Sequence, residues 1–206
     1  FRFDKPQNRL MSYFGRFNYS FKGKYLLTGT IRRDGSSRFS KDNRWGWFPS
    51  GALAWRLKEE SFIKNIPVIS ELKLRAGYGI TGQQDGIGNY DYLPKYNVGN
   101  SQAQYQFGNT FYDLYRPDGY NPNLKWEQTA TTNLGLDFGF FNGRITGAVD
   151  LYIKKTTDLL SVIDQPAGTN FSNKIIANIG NMENKGIEIT LNTQPVKNNN
   201  LVWDLG

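Results

Sequence analysis

Hydrophobic and polar residues alternate along much of the chain with a period of two, the signature of a strand with two unlike faces. Ala130, Thr132, Leu134, Leu136, Phe138 and Phe140 fall on one face, and Thr131, Asn133, Gly135, Asp137 and Gly139 on the other. After Phe141-Asn142-Gly143-Arg144 the apolar set is Ile145, Gly147, Val149, Leu151 and Ile153, alternating with Thr146, Ala148, Asp150, Tyr152 and Lys154. An Asn-Gly pair between alternating runs predicts a type I′ hairpin, because both central residues need positive φ. Pairing Phe141 with Arg144 places Leu136 opposite Val149, so the apolar faces coincide. A slip of one residue would destroy that match.

The same test is met near the N-terminus. Met11, Tyr13, Gly15, Phe17, Tyr19 and Phe21 precede Lys22-Gly23-Lys24, and Tyr25, Leu27, Gly29 and Ile31 follow it. A three-residue loop joins odd to odd, hence apolar to apolar, with Phe14 and Leu26 as exceptions on the polar face. Further strands are predicted at Trp47–Leu57, with Pro49 marking its beginning, at Leu72–Thr81 with Ile80 in the outward set, near Ile187–Leu191, and at Leu201–Leu205. A short helical turn at Lys58–Lys64, closed by Pro67, separates the third strand from the fourth.

The connections alternate in length. Those at Asp34–Arg44, Gly82–Glu127 and Lys155–Lys185 are long, and those between them are shorter, down to the last turn at Gln194–Asn200. A long structureless loop is foreign to a compact soluble domain. Long loops on one side only are the pattern of a transmembrane β-barrel, whose short turns face the periplasm. The polar faces carry Arg16, Arg32, Arg56, Lys73, Arg75, Asp137, Asp150, Lys154 and Glu188, which suits a wet lumen better than a solid core. Tyr19, Phe21 and Tyr25 at one end, and Trp45 and Trp47 at the other, are candidate interfacial girdles.

Composition narrows the chemistry. The 206 residues include no cysteine and no histidine, which removes imidazole and thiolate metal sites, Cys nucleophiles and His-based triads. A net charge of +7 would permit nucleic-acid binding, but the basic residues are scattered and form no run, so none is expected. No apolar stretch is long enough for a membrane helix, and Phe1-Arg2-Phe3-Asp4 does not read as a signal peptide. A mean hydropathy of −0.57 is compatible with barrel strands, which need only about 9 to 11 alternating residues each.

The acidic residues of the long loop, Asp85, Asp91, Asp113, Asp118 and Glu127, show no spacing that pairs two carboxylates for glycoside hydrolysis. Asp85 and Asp91 do not reproduce an EF-hand. No enzyme activity and no cofactor are expected.

Several runs together resemble the SusC/RagA family of TonB-dependent outer-membrane transporters of Bacteroidota. They are Tyr13-Phe14-Gly15-Arg16-Phe17-Asn18-Tyr19, Lys24-Tyr25-Leu26-Leu27, Arg33-Asp34-Gly35-Ser36-Ser37-Arg38-Phe39, Phe48-Pro49-Ser50 and Leu72-Lys73-Leu74-Arg75-Ala76-Gly77-Tyr78-Gly79. Asn121-Pro122-Asn123-Leu124-Lys125-Trp126-Glu127 and Gly180-Asn181-Met182-Glu183-Asn184-Lys185-Gly186-Ile187-Glu188 complete the set, which spans nearly the whole chain in order. The resemblance implies a 22-stranded barrel around an N-terminal plug, importing oligosaccharides or peptides with energy from the TonB complex and with a SusD-like surface lipoprotein over its mouth.

The fold expected for residues 1–206 is therefore all-β: an antiparallel, up-and-down transmembrane β-barrel segment of about eight strands. It belongs to the later part of a larger barrel in the outer membrane, without plug or final strands. Tyr90, Tyr92, Tyr96, Tyr105 and Tyr112 in the long loop are candidate contacts for substrate or partner, with loop packing as the plain alternative. Arg16, Arg32, Arg56, Lys73, Arg75, Asp137, Asp150 and Glu188 are expected to face the lumen. A soluble carbohydrate-binding β-sandwich is the alternative reading, and it requires hairpins around a dry core.

Overall fold

The computed structural model describes residues 5–99, 102–198 and 201–206; Phe1–Asp4 and the end of the turn at Asn200 lie outside them. The strands in chain order are β1 (Leu10–Phe21), β2 (Tyr25–Ser36), β3 (Trp45–Arg56), β4 (Ile69–Gln83), β5 (Lys95–Val98), β6 (Gln104–Phe107), β7 (Thr110–Asp113), β8 (Tyr115–Asp118), β9 (Glu127–Phe140), β10 (Ile145–Thr157), β11 (Leu160–Asp164), β12 (Lys174–Asn178), β13 (Asn181–Lys197) and β14 (Val202–Leu205). Eight of them form one antiparallel sheet in the order β1-β2-β3-β4-β9-β10-β13-β14. Among the described residues β1 and β14 are its open edges.

Both hairpin registers follow the alternation. Phe21 pairs with Tyr25 across Lys22-Gly23-Lys24, and Leu136 pairs with Val149. Asn142 and Gly143 have φ of 56° and 79°, as a type I′ turn demands, and the Arg144 N–H donates to the Phe141 carbonyl at 3.3 Å. Phe141 is itself left-handed at 55°, a conformation unfavourable for an aromatic residue. Its N–H is held by the Val68 carbonyl at 2.8 Å.

Successive registers carry whole rows of side chains across seven strands. Tyr19, Leu27, Leu53, Ala76, Leu134, Leu151 and Ile187 are consecutive partners, as are Phe21, Tyr25, Trp55, Leu74, Leu136, Val149 and Ile189. On the opposite face Ser20, Leu26, Ala54, Arg75, Gly135, Asp150 and Glu188 form the matching row. The apolar rows are open: Tyr19 is 50% exposed, Leu134 47% and Ile187 59%. A soluble β-sandwich would cover this face with a second sheet. The other sheets, β5-β8, β6-β7 and β11-β12, have two strands each and belong to the long loops.

The apolar band runs obliquely to the pairing rows. Phe17, Gly29, Gly51, Tyr78, Thr132 and Ile153 share one row. The run Met11–Phe21 on β1 is centred about one residue above that row, and Ile145–Ile153 on β10 about four below, at a rise of roughly 3.3 Å per residue. A fall of about 16 Å over about 24 Å of sheet corresponds to strands inclined by roughly 35° to the band. Transmembrane barrels tilt their strands by about that angle.

Four details differ from the sequence expectation. Pro49 does not begin β3; it lies four residues inside it, beyond the last β3–β4 pair, Ser50 with Gly79, where no ladder with β4 needs its missing N–H. The 82–127 connection is not structureless, since it contains β5 to β8. The polar ends of β10 and β13 pair as far as Thr157 with Asn181, which shortens the third long connection to residues 158–180. Ile80 is not left on the open apolar face; it packs against a buried cluster at the long-loop end.

That cluster is Phe39, Phe48, Ile87, Leu124 and Trp126, joined by Leu160 and Ile176. It draws on all three long connections. Trp126 lies 5.1 Å from Phe39 and 5.5 Å from Phe48 between ring centroids, and its Nε1–H donates to the Arg44 carbonyl at 3.0 Å. Asn178 clamps Lys125 by accepting from its N–H at 2.9 Å and donating to its carbonyl at 2.8 Å. The buried side chains of the large sheet, Asp34, Ser36, Phe48, Glu127 and Thr156, all project from the polar face. The loops therefore fold over the polar side.

At the opposite end Glu60 ties three elements together. It accepts from Lys24 Nζ at 2.9 Å, Tyr25 Oη at 2.9 Å and Trp55 Nε1 at 3.1 Å. The Lys24, Trp55 and Tyr25 hydrogen bonds hold its carboxyl down to about 2.

Two outcomes follow from these anchors. Trp126→Ala removes the centre of the loop cluster, at about 3 to 5 kcal/mol for a buried aromatic. Limited proteolysis should then cut the segments around Phe39 and Leu124 while the strands stay protected; an unchanged digestion pattern would refute the anchoring role. For Glu60 the folded pKa lies below the unfolded one, so its contribution is complete above the ordinary carboxylate range and disappears as pH falls toward about 2. In denaturant titrations the wild-type advantage over Glu60→Gln should be present at neutral pH and vanish near pH 2. A pH-independent difference would exclude the ionised carboxylate as its source.

Candidate functional site

The polar face of the sheet is the candidate site, and its charges are ordered into a network. Asp137 on β9 receives Lys73 Nζ at 2.8 Å and Arg75 Nη2 at 2.8 Å, both from β4, and Arg75 reaches on to Asp150 of β10 at 3.0 Å. Gly135 lies between Arg75 and Asp150 in the row, and a Cβ there would meet both side chains. The missing side chain lets the guanidinium cross a strand to its second carboxylate. Glu188 follows Asp150 in the same row.

The remaining predicted wall residues share this face but not the network. Arg16 donates to Thr30 Oγ1 at 3.2 Å. Arg32 holds Asp34 through Nε at 2.7 and 2.8 Å and donates from Nη2 to Ser12 Oγ at 3.2 Å. Arg56, at the short-turn end, meets Glu59 at 3.4 Å and the Gly23 carbonyl at 3.3 Å. Phe14 stays an exception, 77% exposed opposite Arg32.

A cleft of about 410 Å³ opens on this face beside the loop cluster, lined by Thr30, Arg32, Asp34, Phe48, Ser50 and Thr131 among others. Its one carboxylate is engaged by Arg32. The cleft offers hydroxyls, an ion pair and an aromatic ring: groups that hold a polar ligand by hydrogen bonds and stacking. It does not offer the carboxylate pair that glycoside hydrolysis needs.

Four of the five acidic loop residues, all but Asp85, are engaged elsewhere. Asp91 accepts from the Gly88 N–H at 2.6 Å and from Lys95 at 3.0 Å. Asp118 accepts from Asn97 at 3.0 Å, and Asp113 from Gln104 at 2.9 Å. Glu127 is buried and caps the Leu160 N–H at 2.9 Å. Among the described residues no group of three or more acidic side chains is placed to hold a metal ion.

The loop tyrosines separate into two kinds. Tyr90 is a fastener: its hydroxyl accepts from the Gln7 N–H at 3.2 Å and donates to the Gln7 carbonyl at 3.3 Å. Tyr92 is half-buried, and Tyr96, although 62% exposed, has a ring partner in Phe171 at 6.0 Å. Tyr105 and Tyr112 face each other across the β6–β7 hairpin, 59% and 54% exposed, with Phe107 and Phe111 similarly open.

Asp34, Ser36, Asn121 and Trp126 lie in the runs that carry the resemblance, but neither they nor Asn178 received a role of their own from sequence, although they organise the long-loop end. Asn121 donates to the Ile176 carbonyl at 3.0 Å, and the Ser36 hydroxyl accepts from the Arg38 N–H at 3.2 Å. Asn and Trp in a turn-rich segment were the available signal.

The family model for TonB dependent receptor-like β-barrels matches residues 2–206. TonB-dependent receptor SusC of Bacteroides thetaiotaomicron is 56% identical over 199 residues, covering 97% of this chain and 20% of the relative. A TonB-dependent receptor of Formosa agariphila is 41% identical over 206 residues, covering 97% of this chain and 18% of its own length. The structure of the RagAB peptide importer in its open-open state superposes with a TM-score of 0.81 at 31% identity, covering 93% of this chain and 20% of that one. The chain thus spans about a fifth of the length of the relatives it matches. Its relatives are receptors and transporters, not enzymes, and they reside in the outer membrane. With its rows of outward apolar residues and its one-sided long loops, the chain belongs to the TonB-dependent receptor β-barrel family, in its SusC and RagA branch.

Proposed function

We propose that these residues are part of the wall and mouth of an active importer of bulky nutrients, oligosaccharides or peptides, driven by the TonB system and covered by a SusD-like surface lipoprotein. The eight strands contribute to a larger barrel, because open edges in lipid would leave backbone groups unsatisfied. One observation carries the reading. In the large sheet the buried side chains and the ionic network lie on one face, while the other presents exposed apolar rows. On this reading the apolar face meets lipid, and Arg16, Arg32, Arg56, Lys73, Arg75, Asp137, Asp150 and Glu188 line the lumen around a plug.

The similarity to SusC and to the RagAB peptide importer supports the substrate class and the partner. The aromatic hairpin supports a contact at the mouth. An isolated two-stranded hairpin is marginal in water, and β6–β7 exposes Tyr105, Phe107 and Tyr112 on one face, with Phe111 open on the other. Such a cluster suits stacking on a substrate or seating a lid. Tyr90 and Tyr96 are assigned to loop packing.

In the whole transporter, Tyr105→Ala with Tyr112→Ala should weaken substrate binding or co-purification of the lipoprotein by about 5- to 30-fold, the effect of losing about 1 to 2 kcal/mol at an interface centre. Tyr90→Ala should leave both unchanged. Equal behaviour of the double variant and wild type in both assays would return the hairpin to loop packing.

A further inference from the structure

Arg33 stands on the wrong face for a charge. The odd positions of β2 place it with Tyr25, Leu27 and Ile31, and its register partners are Tyr13 on β1 and Trp47 on β3. Its guanidinium carbon lies 4.8 Å from the centroid of the Trp45 ring and 5.1 Å from that of Trp47. Trp45 is itself fixed: it stacks on Tyr13 at 6.0 Å and lies over Gly35, where a Cβ would come within 2.7 Å of the indole. Gly35 therefore lets the ring lie flat against the sheet.

The other cations of the sheet show what Arg33 lacks. Arg32 holds a carboxylate on the polar face, and Arg75 holds two. On the apolar face, Lys155 and Lys185 share Glu183 at 3.3 and 2.8 Å. Arg33 has neither an ion pair nor a side-chain hydrogen bond among the described residues, and two indoles are its neighbours.

Its depth matters as much as its isolation. Arg33 is at the long-loop end of the sheet, among the tryptophan and tyrosine rings that mark the membrane–water boundary in such proteins. At that depth, lipid headgroups face the wall. A guanidinium held between two rings keeps its edge donors free, and their fork matches two oxygens of a phosphate.

We infer that Arg33, framed by Trp45, Trp47, Tyr13 and Gly35, binds the phosphate group of an anionic lipid in the outer leaflet. The inference rests on the reading that the apolar face meets lipid.

The test uses the whole transporter in a non-ionic, phosphate-free detergent, with native mass spectrometry as the readout. The probes are lipid A, its dephosphorylated form and inorganic phosphate. Wild type should retain phosphorylated lipid A, Arg33→Gln should bind it at least tenfold more weakly, and Arg33→Lys, which keeps charge but not fork, should fall between them. Equal retention by wild type and Arg33→Gln, or equal retention of the dephosphorylated lipid, would overturn the site. Arg33-dependent binding of inorganic phosphate at the same strength as lipid A would overturn its assignment to lipid.

A separate arm examines the underlying reading. A cysteine at Leu134, carrying a fluorophore, should be quenched from the lipid phase of vesicles and be unreachable by a water-soluble maleimide before labelling. Reaction from water would defeat the lipid-facing assignment itself, whatever the lipid A result.

Discussion

Inside a bilayer the peptide N–H and C=O have no water to bind, so each strand must complete its ladder with a neighbour. That constraint fixes the rest of this structure. Once β4, β9, β10 and β13 are joined, with one irregularity between Ile69 and Glu71 at the short-turn end, the period-two geometry of the strand delivers every second side chain to the same side, and register decides whether those sides agree. Here they agree across seven strands, from Tyr19 to Ile187 and from Phe21 to Ile189. The oblique course of the apolar band is then a consequence of strand tilt.

The opposite face obeys a different economy. On this partly exposed face, opposite charges on neighbouring strands lie close enough to pair. Asp137 accordingly takes both Lys73 and Arg75, and Arg75 spans Gly135 to share Asp150. This coupling crosses three neighbouring strands on side chains alone.

The sheet was legible in the sequence because its information is local. Asn142-Gly143 sets one register and Lys22-Gly23-Lys24 another, and the alternation on each side is read within about ten residues. The strand ends were not legible. Thr157 and Asn181 are polar on both sides of their pair, with no apolar partner to reveal it, yet they are paired. The loop interior was hidden for a different reason. Trp126 and Arg44 are joined by a hydrogen bond across 82 residues of sequence, and no periodicity connects an isolated aromatic in one turn-rich segment with a carbonyl in another. The tyrosines illustrate the same limit: Tyr90 and Tyr105 look alike in a Tyr-rich loop, and only their surroundings separate a fastener from an exposed ring.

Those long-range contacts also explain what the family resemblance rests on. Asp34, Ser36 and Phe39 come from one of its motifs, and Asn121, Leu124, Trp126 and Glu127 from another. All are buried or bonded in the assembly that closes the three long connections over the polar face. The motifs therefore encode how the long-loop end is fastened. The β6–β7 hairpin lies outside every one of them and carries four exposed aromatic rings. Fastening residues are constrained by one another, so they identify the architecture. Exposed rings answer only to what they touch, so they carry no such mark of the architecture.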